Sequence, residues 1–260
     1  MKMLRIVWIV LVLAVFVICL YFLQNGFRLT PDIGIKGINE IRVEEKLHSR
    51  IYLHPGQEIT GMLLGGFRGI AADILWLQID EYWHHGQWYK CLPLYKTIGF
   101  LQPNFLNVWI LGGWHAAYNI CYQAGVSPRR TVQERMRDQH FWIAQGLDFL
   151  KLGIENNPDV YNIYFETGWT YFNKVKDFKE AAGYFAEAAR FDCPSFVSRM
   201  YAHALYDSGD KEASFHVWKN LLAEVDEKEK KEPLNNKDLT HKKVVEKFYN
   251  RRKKELGKSQ

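Results

Sequence analysis

The chain has 260 residues, 48% of them hydrophobic and 15% aromatic, with only eight prolines. This excludes a Pro-rich disordered polypeptide and leaves enough apolar material for one core or a small array of repeats. The net charge of +5 is uneven: from Glu224 onward twelve Lys/Arg face eight Asp/Glu, against 22 and 21 before it, so the basic balance does not imply a nucleic-acid face on the body.

In chain order, residues 1–5 form a short tail carrying Lys2 and Arg5. Residues 6–23, "IVWIVLVLAVFVICLYFL", are eighteen residues without a charge, long enough to cross a bilayer. The exit "FLQNGF" has no small-x-small cleavage pattern, so the segment reads as an uncleaved signal anchor. Positive charge at its first end places that end in the cytoplasm and the rest of the chain outside it. Four cysteines stand at 19, 91, 121 and 193 without CxxC spacing. No zinc ribbon, thioredoxin motif or c-type haem site can be built from them, and they read as packing residues. A Cys91–Cys121 bridge stays open.

Residues 24–60 alternate briefly between apolar and turn residues and read as a stalk or extended segment. "GMLLGGFRGIAADILWL", Gly61 to Leu77, then leads into helical periodicity. Tyr82, Gly86, Trp88, Cys91, Tyr95, Ile98 and Pro103 follow at offsets of 4, 2, 3, 4, 3 and 5. Gly86 permits a turn between two helices. Cys91 stands where a small side chain lets helices approach. Tyr95 and Ile98 share its face, and Pro103 ends the second helix.

This pattern resembles the tetratricopeptide repeat (TPR), a helix-turn-helix unit of 34 residues. A second unit starts near Leu106, with Trp109, Gly112 and Gly113 in register. It is interrupted by an insertion over about 122–139 and resumes with Gly146, Leu150, Gly153 and Pro158. The third carries Tyr164, Gly168, Tyr171, Phe178, Ala181, Phe185 and Ala188 and is one residue long in its turn. The fourth carries Ala202, Tyr206, Gly209 and Ala213 and is one residue short there. The expected fold is all-α: a right-handed helix-turn-helix solenoid of about four TPR units over residues 61–225, behind the single transmembrane helix. A charged linker over 226–238 and an amphipathic capping helix over 239–256 follow, the latter with Val244, Val245, Phe248, Tyr249 and Arg252 on one face. The combination of anchor, "GGFRGIAADILWL" and repeats resembles membrane-anchored TPR proteins of bacteria. It implies an inner-membrane (cytoplasmic-membrane) location with the repeats extracytoplasmic.

The resemblance further implies that the first helix of each unit lines a groove. Carried onto this chain, the groove takes Asp73, Trp76, Asp80, Trp83 and His84 from the first unit, Trp114 and Tyr118 from the second, and Phe165, Trp169, Phe172 and Asn173 from the third. These positions include no Lys or Arg, so the basic clamp with which chaperone-binding members hold a carboxylate is missing. An aromatic groove suits an apolar or aromatic-rich peptide or helix, and the acidic residues at one end favour a positive charge nearby. The alternative occupant is the chain's own 29–60 segment or C-terminal helix. Arg68 and Asp73 are a candidate ion pair, functional or merely at a helix start.

No P-loop, GxGxxG, HExxH or GxSxG motif is present. His84 and His85 are adjacent and would point about 100° apart on a helix. A metal site would need His84 with Asp80 or His115. The expectation is therefore no enzyme, no cofactor, no metal, no nucleic acid and no small-molecule substrate. The function expected is a membrane-anchored scaffold binding a protein partner of an envelope complex, of secretion, pilus or transporter type. The alternative is a holdase-like chaperone for apolar segments leaving the membrane. A third, lesser reading is a metal-dependent enzyme.

Overall fold

The computed structural model describes residues 67–257. The expected anchor over 6–23 and stalk over 24–60 lie outside the described residues. Among the described residues every regular element is helical, and no helix there is long and apolar enough to cross a membrane.

The helices pair in chain order. The first pair is α1, Arg68–His84, and α2, Cys91–Leu101, with a short 3-10 turn over Trp88–Lys90 leading into α2. The second is α3, Leu106–Trp114, which continues through a π-helical stretch His115–Ile120 into Cys121–Gly125, and α4, Val132–Asn156. The third is α5, Tyr161–Thr170 with a π-helical extension Tyr171–Val175, and α6, Phe178–Ala188. The fourth is α7, Phe196–Asp207, and α8, Lys211–Lys231, followed by a final helix α9, Asn236–Glu255. Each helix packs on its neighbours in the chain, and α3 also touches α5 across the intervening helix.

Local chemistry explains the turns. Gly86 (φ +66°) and Gly209 (φ +96°) occupy the left-handed region, which only glycine enters without a Cβ penalty. Each caps its helix in the same way. Gln87 N donates to Tyr82 O at 2.9 Å, and Asp210 N donates to Leu205 O at 2.9 Å. In the third pair Lys176 takes the left-handed position (φ 63°) instead of glycine. The residue by which this unit is long is absorbed just before it, in the π-helical stretch, which is how a helix accommodates one extra residue. Downstream, Asp177 accepts from Glu180 N and Asp210 from Ala213 N, both at 3.0 Å, and so cap α6 and α8.

The expected insertion over 122–139 is largely helical. α3 runs to Gly125 and α4 begins at Val132, so the extra residues lengthen both helices of one pair and leave only a short connection. A capping box starts α4: Glu134 N donates to Thr131 Oγ1 at 3.2 Å, and Thr131 N donates to Glu134 Oε2 at 2.8 Å. The charged linker over 226–238 is likewise shorter than its composition suggests. α8 continues to Lys231 and α9 starts at Asn236, with Asn235 as its cap. Ion pairs favour helix over linker there: Lys228 lies 2.7 Å from Asp238, and Lys242 lies 2.8 Å from Asp226 and 2.6 Å from Glu229.

Small residues set the helix crossings. A Cβ on Gly146 would fall 2.6 Å from Gly113 O and 2.7 Å from Ala117 Cβ, and one on Gly153 would fall 2.6 Å from Trp109 Cβ. The backbones of α3 and α4 therefore meet directly at Gly113 and Gly146. Cys91, Ile98 and Val108 are fully buried where α1, α2 and α3 converge, and Tyr95 is nearly so. Pro103, after α2, supplies a carbonyl that binds Trp109 Nε1 at 2.8 Å and Asn157 Nδ2 at 3.1 Å. That single acceptor ties the end of the first pair to both helices of the second. At the other end α9 lays Val245, Phe248 and Tyr249 against α8. Phe248 stacks on Trp218 at 5.0 Å and Tyr249 on Phe215 at 5.4 Å. Arg252 is buried there, its guanidinium 3.2 Å from the Tyr206 ring centroid and 2.8 Å from Glu255.

Candidate functional site

The residues of interest lie on the first helices of the pairs, α1, α3 and α5. Trp83 near the end of α1 stacks on Trp88 at 5.4 Å and tilts against His115 at 4.5 Å and Trp114 at 6.1 Å. Trp114 in turn lies parallel to Tyr118 at 6.1 Å, one helical turn along α3. Trp114 is 38% exposed. Trp83, Trp88, Trp114 and Tyr118 form one continuous aromatic surface, backed by the core and open at Trp114.

His115 is its inner wall. It is 5% exposed and stacks on Tyr95 at 5.6 Å. Asn119 Nδ2 lies 2.9 Å from His115 Nδ1; an amide NH₂ can only donate, so Nδ1 accepts and the neutral ring carries its proton on Nε2. Burial lowers its pKa to about 4, which fixes the ring neutral at physiological pH.

Across the contact with α5 the surface becomes polar. Lys174 Nζ sits 4.4 Å above the Tyr118 ring, a cation–π contact. The Tyr118 hydroxyl is buried and makes no well-formed hydrogen bond. Burial pushes its pKa up to about 12, the adjacent Thr170 hydroxyl pulls the other way, and Glu166 adds to the rise. Burial also raises the Glu166 carboxyl above the usual range. Sequence reasoning passed over Glu166, Thr170 and Lys174, because the groove positions were assigned from a straight repeat register. A lone carboxylate in the aromatic run "YNIYFETGWT" was the available signal.

The expected groove residues do not all gather here. Trp83, Trp114 and Tyr118 do. Trp76 is half-buried and packs edge-on to Tyr95 at 5.9 Å and against Phe105 at 5.2 Å, so it belongs to the joint between the first two pairs. Phe165 and Phe172 turn toward the later helices. Phe165 meets Phe185 at 5.4 Å and Phe196 at 5.1 Å, and Phe172 meets Phe178 at 5.2 Å. Trp169 stacks between them, 6.5 Å from Phe165 and 6.1 Å from Phe172. These three are part of the core of the third and fourth pairs. Asn173 is half-buried within the π-helical stretch.

Asp73 and Asp80 are exposed on α1. Arg68 does not pair with Asp73; its Nη2 donates to Phe100 O at 3.2 Å. Five residues separate the two on one helix, which puts them on different faces. His84 Nδ1 lies 2.8 Å from Asp80 O and His85 Nδ1 2.8 Å from Glu81 O, so each ring folds back on its own turn. His115 points to Asn119 rather than to His84. Among the described residues no group of three His, Cys, Asp or Glu is placed to hold a metal ion. Cys91 and Cys121 are both free and buried; burial pushes the Cys91 thiol up to about 11, the opposite of what a nucleophile or ligand requires.

Compared with known protein families and with curated proteins, the chain matches none.

Proposed function

We propose that this protein is a non-catalytic scaffold of the TPR type, a right-handed helical solenoid held at the inner membrane of a bacterium by its N-terminal segment. Its repeats bind a protein partner of an envelope complex. The observation that carries the binding role is the open aromatic surface of Trp83, Trp114 and Tyr118 on successive first helices. An indole held by ring contacts on two sides and open on another loses little side-chain entropy on binding, which is what an interface anchor needs. Three further observations support the reading: the ordered pairing of helices in chain order, the glycine-capped turns at Gly86 and Gly209, and the small-residue crossing of α3 and α4. A partner segment with an apolar face and a basic residue fits this surface best. The apolar face would cover Trp114, and the basic residue would approach the carboxyl of Glu166.

Trp114→Ser tests the proposal, because Trp114 is the most exposed member of the cluster. The variant should melt within a few degrees of the parent and lose at least 1 kcal/mol of partner affinity, about a fivefold weaker Kd. Undiminished partner recovery by a folded Trp114→Ser protein would sink the binding role. Recovery of many unrelated partners instead of a stoichiometric one would replace the scaffold by the chaperone reading.

A further inference from the structure

The long second helix pair ends in a connection that the aromatic surface does not use. Around it the apolar side chains face outward: Tyr122 is 64% exposed, Val126 56%, Val132 55% and Met136 54%. Tyr122 lies in the last turn of α3 and Val126 just past its end, where Val126 N donates to Tyr122 O at 3.1 Å, while Val132 and Met136 are one turn apart on α4, so each pair lies close together. Four arginines, Arg129, Arg130, Arg135 and Arg137, are interleaved with them against Glu134 and Asp138. Without these six residues the first 223 positions hold 18 Lys/Arg and 19 Asp/Glu. The tip is therefore a local basic patch on a body of nearly balanced charge.

The exposure is built in rather than frayed. Arg135 Nη1 donates to Arg130 O at 2.8 Å and to Ser127 O at 3.4 Å, closing the connection from below. The Thr131–Glu134 capping box holds the start of α4 and occupies the Glu134 carboxylate. Asp138 is shared between Arg130 at 3.8 Å and Arg137 at 3.4 Å. Arg129 has no ion pair among the described residues and is exposed. An ordered tip that presents Val and Met beside arginine matches a surface that is apolar just beneath a layer of negative charge. An acidic protein surface would answer the arginines but not the four apolar side chains.

We propose that this helical tip docks on an anionic lipid surface, with Val126, Val132 and Met136 entering the headgroup boundary and Arg129, Arg130 and Arg137 meeting the phosphates. The proposal rests on the membrane attachment of the preceding section, since an attached chain meets the bilayer at high effective concentration. On the usual scale for basic residues beside anionic lipid, two net charges raise the occupancy of the docked state about 30-fold.

The test is hydrogen exchange of the full chain in nanodiscs of neutral phosphatidylcholine and in nanodiscs containing about one third phosphatidylglycerol. The amides of residues 126–131 should exchange several-fold more slowly in the anionic discs, and the difference should vanish in high salt. It should vanish as well in a triple variant, Arg129→Gln with Arg130→Gln and Arg137→Gln, and shrink with Val132→Ser plus Met136→Ser. Arg135 is left in place so that the connection stays closed. Equal exchange in the two discs overturns the docking while leaving the attachment intact. Failure of the chain to co-purify with either disc overturns the attachment and the docking together. Protection that appears in detergent on adding polyglutamate, and not in anionic discs, reassigns the tip to an acidic protein.

Discussion

His115 offers the sharpest thermodynamic handle on the inner surface. It is 5% exposed, walled by Trp83, Tyr95 and Trp114, and burial lowers its pKa from 6.5 to about 4. The unfolded chain binds a proton near pH 6.5 while the folded chain resists it. The histidine's contribution is thus fully present above pH 6.5 and is lost as pH falls toward 4. The full span is worth about 3 kcal/mol at 1.36 kcal/mol per unit. Between pH 8 and pH 5 the loss works out at about 2 kcal/mol, since at pH 5 the unfolded ring is almost wholly protonated and the folded one mostly neutral. Urea unfolding of the parent at a series of pH values should show this decline. His115→Gln is less stable at pH 8 through lost packing, and its pH slope should be shallower by about the same 2 kcal/mol. His203 and His241, both lowered chiefly by burial, titrate in parent and variant alike and cancel in the comparison. Identical pH slopes for the two proteins would refute the buried, neutral His115.

Other substitutions probe the packing. Gly146→Ala drives a methyl into Gly113 O and Ala117, backbone that cannot step aside, and should cost about 1–3 kcal/mol or more in a denaturant titration. Lys176→Gly relieves a side chain held at φ 63° and should stabilise by about 1 kcal/mol in the same assay, whereas Gly86→Ala, at φ +66°, should destabilise by about as much. Cys91, whose thiol is pushed up to about 11, should resist iodoacetamide at pH 7.5 in the native protein while half-buried Cys193 reacts, as read by mass spectrometry of quenched samples.

How far the sequence reached differs between fold and site. The turns were legible because glycine at Gly86 and Gly209 answers a backbone need that no other residue meets as cheaply. The core was legible at Cys91, Tyr95 and Ile98 because helical spacing repeats it. The extra length of the second pair looked like a loop because "GVSPRRT" is turn-rich, yet Thr131 and Glu134 formed a start signal inside it. The charged run after Val225 looked like a linker because composition hides ion pairs such as Lys242 with Asp226 and Glu229. The site was less legible. A repeat register assigns Phe165, Trp169 and Phe172 to an open face, whereas bulky rings on the flank of α5 fill the joint with α6 and α7 instead. The Lys174–Tyr118 contact depends on how α3 and α5 approach each other, and no spacing within either helix encodes that.

The partner binding proposed for the open aromatic surface on the first helices can be tested at the most exposed of its residues. A photo-reactive phenylalanine analogue placed at Trp114, with a second protein labelled at Lys219 on the exposed face of α8, tests it in living cells. One dominant stoichiometric adduct is expected from position 114 and none in common from position 219. Absence of any adduct at position 114, or the same set of adducts from both positions, would contradict it.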